Sequence, residues 1–310
     1  MRPLRIAIIG FGKIAGDQHL PAIEANPRLE FAASVSRSGT GPEPRFTSTE
    51  DLLASGIQLD AAAITTPPSV RYAIARPCID AGLHLLLEKP PTVTLGEIED
   101  LGPRAATKGV TLFTTWHAQH NSAVPAAAKL LEGQAVKAMN VTWHEYVRKW
   151  HPGQTWIWQP GGFGVFDPGI NAFSIMTRIF PGPLFVDSSE LSFPSDAHTP
   201  IAAEIKLKSP AAPGADLACS LDWRRSEGEE WTIRVTLEDR RRIDLLDGGA
   251  RLLVDGEEQA TPGPGEYPDL YREFVDLIDQ RQSRIDRAPL RLVADCLLAA
   301  RRLTVDPVAL

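Results

Sequence analysis

The stretch that most constrains this chain is Leu4-Arg5-Ile6-Ala7-Ile8-Ile9-Gly10-Phe11-Gly12-Lys13-Ile14-Ala15. Residues 4–9 are almost all apolar and rich in isoleucine, the pattern of a parallel strand buried on both faces. The strand breaks into Gly10-x-Gly12-x-x-Ala15, and a helical pattern follows. A turn of this kind is built to meet a pyrophosphate. Gly10 permits the tight turn, Gly12 lets a phosphate approach the backbone, and the small Ala15 lets the helix pack close to the strand. The helix N-terminus, opened by Lys13 and Ile14, then faces the anion. The spacing is weak alone and gains its force from its place after a strand and before a helix.

The next hundred residues keep alternating. A helix is expected from Lys13 to Ala25, ended by Asn26-Pro27, with Pro21 as a kink or restart and His19 on its surface, the alternative being that it faces the cofactor. The strand Leu29–Val35 then runs into Ser36-Arg37-Ser38-Gly39. A carboxylate at that point selects NAD. Here hydroxyls and an arginine stand instead, which suits a phosphorylated adenosine ribose and leans toward NADP with NAD tolerated; an exposed loop arginine is the alternative. Further strands are expected at Leu59–Ile64, closed by Thr65-Thr66-Pro67-Pro68, at His84–Leu87, leading into Glu88-Lys89-Pro90-Pro91, and at Val110–Thr114. Helices are expected at 50–55, 70–81 and 94–107. This rhythm gives a doubly wound parallel sheet, a Rossmann domain, whose strand ends carry Thr66, Pro67, Glu88 and Lys89 to the ligand crevice.

The second half changes character. Strands are expected at 136–146, 183–193, 200–208, 215–223, 230–237 and 241–254, with turn signals at Asp247-Gly248-Gly249 and Asp255-Gly256. Helices are expected at 122–133, Asp167–Ile179, Tyr267–Gln282 and Pro289–Leu303. The fold class is therefore α/β, a Rossmann domain over 1–120 followed by an α+β domain over 121–310 with an open, mainly antiparallel sheet. The closing helices are free to pack back on the first domain. The net charge of −7, with no basic run beyond Arg240-Arg241-Arg242, argues against a nucleic-acid partner. No apolar run is long enough for a membrane span, and no secretory leader is recognisable. Cys78, Cys219 and Cys296 are far apart and read as reduced interior residues of a cytoplasmic protein, with no metal site among them.

Three motifs come in order: Gly10-Phe11-Gly12-Lys13-Ile14-Ala15, Glu88-Lys89-Pro90 and Gly161-Gly162-x-x-x-x-Asp167-x-Gly169-x-Asn171. With them the chain resembles, along nearly its whole length, the glucose–fructose oxidoreductase / inositol dehydrogenase (Gfo/Idh/MocA) family. Within it, the stretch Trp143–Trp158 is most similar to bacterial aldose 1-dehydrogenases acting on L-arabinose and D-galactose. The resemblance implies a sugar dehydrogenase of carbohydrate metabolism using NAD(P). It also implies an open sheet that often serves as an oligomer interface, so a homodimer or homotetramer is expected. Many family members carry histidine four residues after the aspartate; here Asn171 stands there, which weighs against histidine-base chemistry of the inositol dehydrogenase type.

Hydride transfer from a carbinol needs a held cofactor, a base for the hydroxyl proton and exclusion of water. Lys89, at a strand end, is a candidate proton acceptor, although a Glu-Lys-Pro taken alone also suits a surface turn. Asp167 and Asn171 share one helix face. They are expected to grip the anomeric hydroxyl and its neighbour, with Lys89 or Asp167 taking the proton; the alternative for Asp167 is a helix N-cap. The stretch Trp143-His144-Glu145-Tyr146-x-x-x-Trp150-His151-x-x-x-x-Trp156-x-Trp158 offers aromatic walls and polar groups suited to a pyranose, or else a domain core. Glu145, a carboxylate amid tryptophans, needs a partner. The resemblance makes Glu145 and His151 sugar-hydroxyl partners, with Trp150 beside them and His117 a weaker candidate. The expected reaction is oxidation of C1 of an aldopyranose to its lactone. The alternatives are oxidation at another position of a sugar or cyclitol, and a non-catalytic sensor of the same fold.

Overall fold

The computed structural model describes residues 2–308 except Pro262 and Pro264. The chain divides into two compact units, one of residues 1–117 with 266–287, the other of residues 118–265 with 288–310.

The first unit is built on six parallel strands, β1 (Leu4–Ile9), β2 (Leu29–Val35), β3 (Arg45–Phe46), β4 (Ala61–Ile64), β5 (His84–Leu87) and β6 (Leu112–Thr114). Their order is β3-β2-β1-β4-β5-β6. The order reverses beside β1, so the crevice outside the carboxyl ends of β1 and β4 is the topological switch point. Ile6, Ile8, Ala61 and Ala63 are fully buried, as their apolar run requires. They share a core with Tyr267, Leu270, Tyr271 and Phe274 of the helix Glu266–Asp279. Each such isoleucine contributes about 1.5–3 kcal/mol by leaving water. The expected helix over 13–25 is instead a π-helical turn, Ala15–His19, followed by a short α-helix, Leu20–Glu24. Pro21 has no N–H to donate into a regular α-ladder, and the wider turn precedes it. His19, expected on the surface, is fully buried as a result of that change of register.

The second unit holds a nine-stranded sheet ordered β14-β13-β12-β11-β7-β10-β9-β8-β15. Its strands are β7 (Val136–His144), β8 (Phe185–Pro194), β9 (Ala202–Lys208), β10 (Asp216–Asp222), β11 (Glu230–Leu237), β12 (Arg242–Leu246), β13 (Arg251–Val254), β14 (Glu257–Gln259) and β15 (Ala300–Val305). Neighbours are antiparallel except β7 with β10 and β8 with β15. The expected strand over 241–254 is a hairpin, β12 and β13, folded at Asp247-Gly248-Gly249. The expected helix Pro289–Leu303 stops at Leu298, and Ala300–Val305 adds an edge strand. The alternation Arg302-Leu303-Thr304-Val305 favours a strand, and charges on an edge discourage further pairing. The helix Phe166–Ile179 lies against the sheet so closely that a Cβ on Gly169 would sit 2.5 Å from a Leu221 methyl. Among the described residues no helix is long and apolar enough to cross a membrane, and no cluster of histidine, cysteine and carboxylate could hold a metal ion. All three cysteines are free and buried.

Candidate active site

A parallel sheet gathers the carboxyl ends of its strands on one edge, and this brings the first unit's candidate residues together. Gly10 follows β1 with φ of 102°, and a Cβ there would lie 2.6 Å from the Thr66 nitrogen. The turns after β1 and β4 therefore touch, which only glycine permits. A Cβ on Gly12 would meet nothing closer than 3.9 Å, so a phosphate has room at its backbone. Lys13 and Ile14 are exposed at the start of the turn, and Pro67 is exposed at the start of the helix Pro68–Asp80. These features fit a dinucleotide pyrophosphate.

At the end of β2, Ser36, Ser38 and Thr40 form a cluster of hydroxyls with Oγ separations of 2.9–3.1 Å. Thr40, which sequence reasoning passed over, also donates to the Phe11 carbonyl at 3.0 Å, joining this loop to the glycine turn. Arg37 is exposed beside it. The cluster offers several donors and a cation to one anion.

Glu88, expected among the cofactor residues, has its carboxylate inside the fold, where the residue is 3% exposed. Tyr267 donates its O–H to Glu88 Oε1 at 2.6 Å, and His19 Nε2 lies 3.7 Å from the same oxygen. The other nitrogen of His19 is 2.7 Å from the Tyr271 hydroxyl. His117 stacks on the Tyr267 ring at 5.4 Å and lies 3.6 Å from Glu266. Burial alone would raise the Glu88 carboxyl; the nearby His19 and the charges of His117 and Lys89 reverse this and hold it at about 2. Lys89 follows at the half-exposed turn. Tyr267 and Tyr271 are not among the residues expected at the site, because their partners lie far along the chain.

The second unit assembles its candidates from distant segments. Asp167 stands in the first turn of the helix Phe166–Ile179 and is not its N-cap, since Val165 occupies that position. Its backbone N–H bonds to Gly164, and its carboxylate lies 3.3 Å from His151 Nε2. The opposite ring nitrogen of His151 meets Gln154 Oε1 at 3.2 Å. Asn171 is one turn further along, half-buried on the same helix face. Glu145, just after β7, is 6% exposed, and its two oxygens each accept an indole N–H at 2.9 Å, from Trp223 and from Trp231. Its partners are thus Trp223 just past β10 and Trp231 of β11, not the tryptophans of its own stretch. Burial raises the Glu145 carboxyl despite these two donors. Trp223 also meets the rings of His151 and Trp158 at 5.2 and 5.3 Å. Trp143 is buried in the core, while Trp150 is 47% exposed, edge-on to Trp231 and bonded to Glu229. A cavity of about 340 Å³ opens beside His151 and Trp158. A carboxylate pinned by indoles, an imidazole paired with a second carboxylate, and aromatic walls suit a polyhydroxylated ring.

Comparison with known proteins accords with both halves. Residues 4–116 match the model of the Gfo/Idh/MocA oxidoreductase family, described as an NAD-binding Rossmann fold. Over 308 residues the chain is 41% identical to galactose 1-dehydrogenase of Pseudomonas fluorescens, covering 99% of each. The chain belongs to the Gfo/Idh/MocA oxidoreductase family. The crystal structure of D-galactose-1-dehydrogenase from Rhizobium etli is similar with a TM-score of 0.93 and 40% identity, over 99% of this chain and 98% of that one. KijD10, a 3-ketoreductase of Actinomadura kijaniata solved with NADP and TDP-benzene, is 19% identical with a TM-score of 0.83, over 98% and 100% of the two chains, and shares the fold. As a member of this family, the protein is an oxidoreductase with an NAD-binding Rossmann domain.

Proposed function

We propose that this enzyme oxidises the C1 hydroxyl of an aldopyranose, D-galactose with L-arabinose beside it, to the aldonolactone, and that it prefers NADP to NAD. The observation that carries the sugar reading is Glu145 pinned by Trp223 and Trp231 next to the His151–Asp167 pair. The likeness to galactose 1-dehydrogenase supports it. The hydroxyl cluster Ser36, Ser38 and Thr40 beside Arg37 supports NADP.

A bound nicotinamide supplies the hydride acceptor. The chain does the rest. Glu145 and His151 accept and donate hydrogen bonds to ring hydroxyls, with Trp150 at the rim. Asp167 and Asn171 hold the anomeric hydroxyl. As the C1 hydrogen leaves with its electron pair, the hydroxyl proton passes to Lys89 or Asp167, and the C1–O bond becomes the lactone carbonyl. L-Arabinose and D-galactose differ only at C5, by a hydroxymethyl group, and a pocket that makes no hydrogen bond to that group separates them weakly, so both serve as substrates.

The test is absorbance of the reduced nicotinamide over a panel of aldoses and inositols with each dinucleotide. The reading expects fast reduction with D-galactose and L-arabinose, at lower NADP than NAD. Activity confined to inositols, or tight dinucleotide binding with no turnover, would overturn it.

A further inference from the structure

We propose that Arg71 is a positioning residue that, with the buried anchor of Glu88, fixes where Lys89 stands. Arg71 lies in the first turn of the helix Pro68–Asp80 and is 3% exposed. Its Nη1 donates to the carbonyls of Glu88 and Pro90, the two that flank Lys89, and its Nη2 donates to the carbonyl of Thr66. A single guanidinium thus ties the turn after β5 to the turn after β4, the one that packs on Gly10. Burying this group costs several kcal/mol unless its donors are met. Carbonyls beyond a strand end have left the sheet ladder and need donors of their own. Only a planar fork reaches three of them; a lysine is a point donor.

The second anchor acts on the preceding side chain. Tyr267 donates to Glu88 at 2.6 Å, and His19, oriented by Tyr271 at 2.7 Å, lies 3.7 Å from the same oxygen. Glu88 is therefore held by its carbonyl and its carboxylate, Pro90 by its carbonyl, and Lys89 projects from between them at a half-exposed turn. A displacement of about 1 Å in a reacting group costs on the order of 100-fold in rate. Arg71, His19 and Tyr267 are buried and act through Lys89, not on the sugar.

This inference rests on the reading of Lys89 as a proton-handling group, and the experiment separates the two. Arg71→Lys and Tyr267→Phe are made in the full chain, each alone and in a Lys89→Ala background. Steady-state kinetics are measured with D-galactose and NADP, together with Tm. Arg71→Lys is expected to lower kcat by about 10–100-fold and Tyr267→Phe by about 3–10-fold, with both KM values within about threefold. In the Lys89→Ala background neither change lowers kcat further, because the residue through which they act is gone. A cost of the same size in both backgrounds overturns the positioning role, as does a loss carried by KM alone. Tyr267→Phe removes one hydroxyl and keeps the test decisive should Arg71→Lys unfold. Near-normal kcat in Lys89→Ala alone marks failure of the Lys89 reading, and with it of this one.

Discussion

Glu88 in the first unit and Glu145 in the second are both buried, at 3% and 6% exposure, yet their surroundings push them in opposite directions. Burial disfavours the charged form of each. Around Glu88 the nearby His19 and the charges of His117 and Lys89 outweigh it, and the carboxyl is held at about 2. Around Glu145 burial comes first; the neutral indole donors and the charge of His151 work against it without overcoming it, Asp167 adds a like charge, and the carboxyl rises. Charged neighbours make a carboxylate a fixed part of the framework. Neutral donors fix its position and leave its charge costly, so that its charge still gains from a further donor.

The sharpest break falls on chemistry. Lys89→Ala and Asp167→Ala should each lower kcat by about 100–10,000-fold, the range for loss of a general acid or base. Near-normal turnover in both variants would sink the assignment. Next comes stability. The depressed Glu88 carboxyl stabilises the fold above its ordinary value of 4.5, and that contribution is lost as pH falls toward 2. Glu88→Gln should therefore lower the neutral-pH Tm and flatten the acid side of the stability profile. An unchanged profile between pH 5 and 2 contradicts the network. Glu145 has the reverse sign: its raised carboxyl favours the fold below the ordinary value, and that advantage is lost as pH climbs through the folded one. Glu145→Ala leaves two buried indole donors without acceptors, a cost of about 1–3 kcal/mol each. It should raise the KM for D-galactose by about tenfold while the KM for NADP stays put. A rise in both would place Glu145 in the framework with Glu88.

The same contrast explains what could be read from the sequence. In the first unit the signals are local. A buried run followed by Gly10-x-Gly12, and strands ending at Thr66 and Lys89, need only a parallel sheet to bring them to one edge. The helix Tyr267–Gln282 was legible from its periodicity, but not that its tyrosines reach Glu88 and His19, across 179 and 252 residues. Arg71 looks like one more arginine on a polar helix until its fork meets three carbonyls. His19 reads as surface because a regular helix was assumed where Pro21 imposes a wider turn. In the second unit, the need of Glu145 for a partner followed from burial chemistry. That Trp223 and Trp231 supply it, 78 and 86 residues away, depends on β7 lying between β10 and β11, an order no local pattern encodes. The edge strand β15 was hidden by the apolar helix that runs into it.

The smallest effect tests whether the first unit's fixed framework extends to the adenosine end. Ser36, Ser38 and Thr40 already hold one another at 2.9–3.1 Å, and Thr40 ties the group to the glycine turn through the Phe11 carbonyl. An incoming phosphate would replace mutual hydroxyl contacts with charge-assisted ones, while Arg37, exposed to solvent, adds a screened attraction. Arg37→Ala should therefore raise the KM for NADP by about tenfold and leave that for NAD nearly unchanged, with the NADP penalty shrinking as salt is added. Thr40→Val should cost about threefold for both dinucleotides, because it loosens the loop as well as the cluster, in keeping with one neutral hydrogen bond worth about 0.5–1.5 kcal/mol. Equal losses for NADP and NAD in Arg37→Ala would mean that the arginine serves the loop and not a 2′-phosphate, and the preference for NADP would then have to come from the hydroxyls alone.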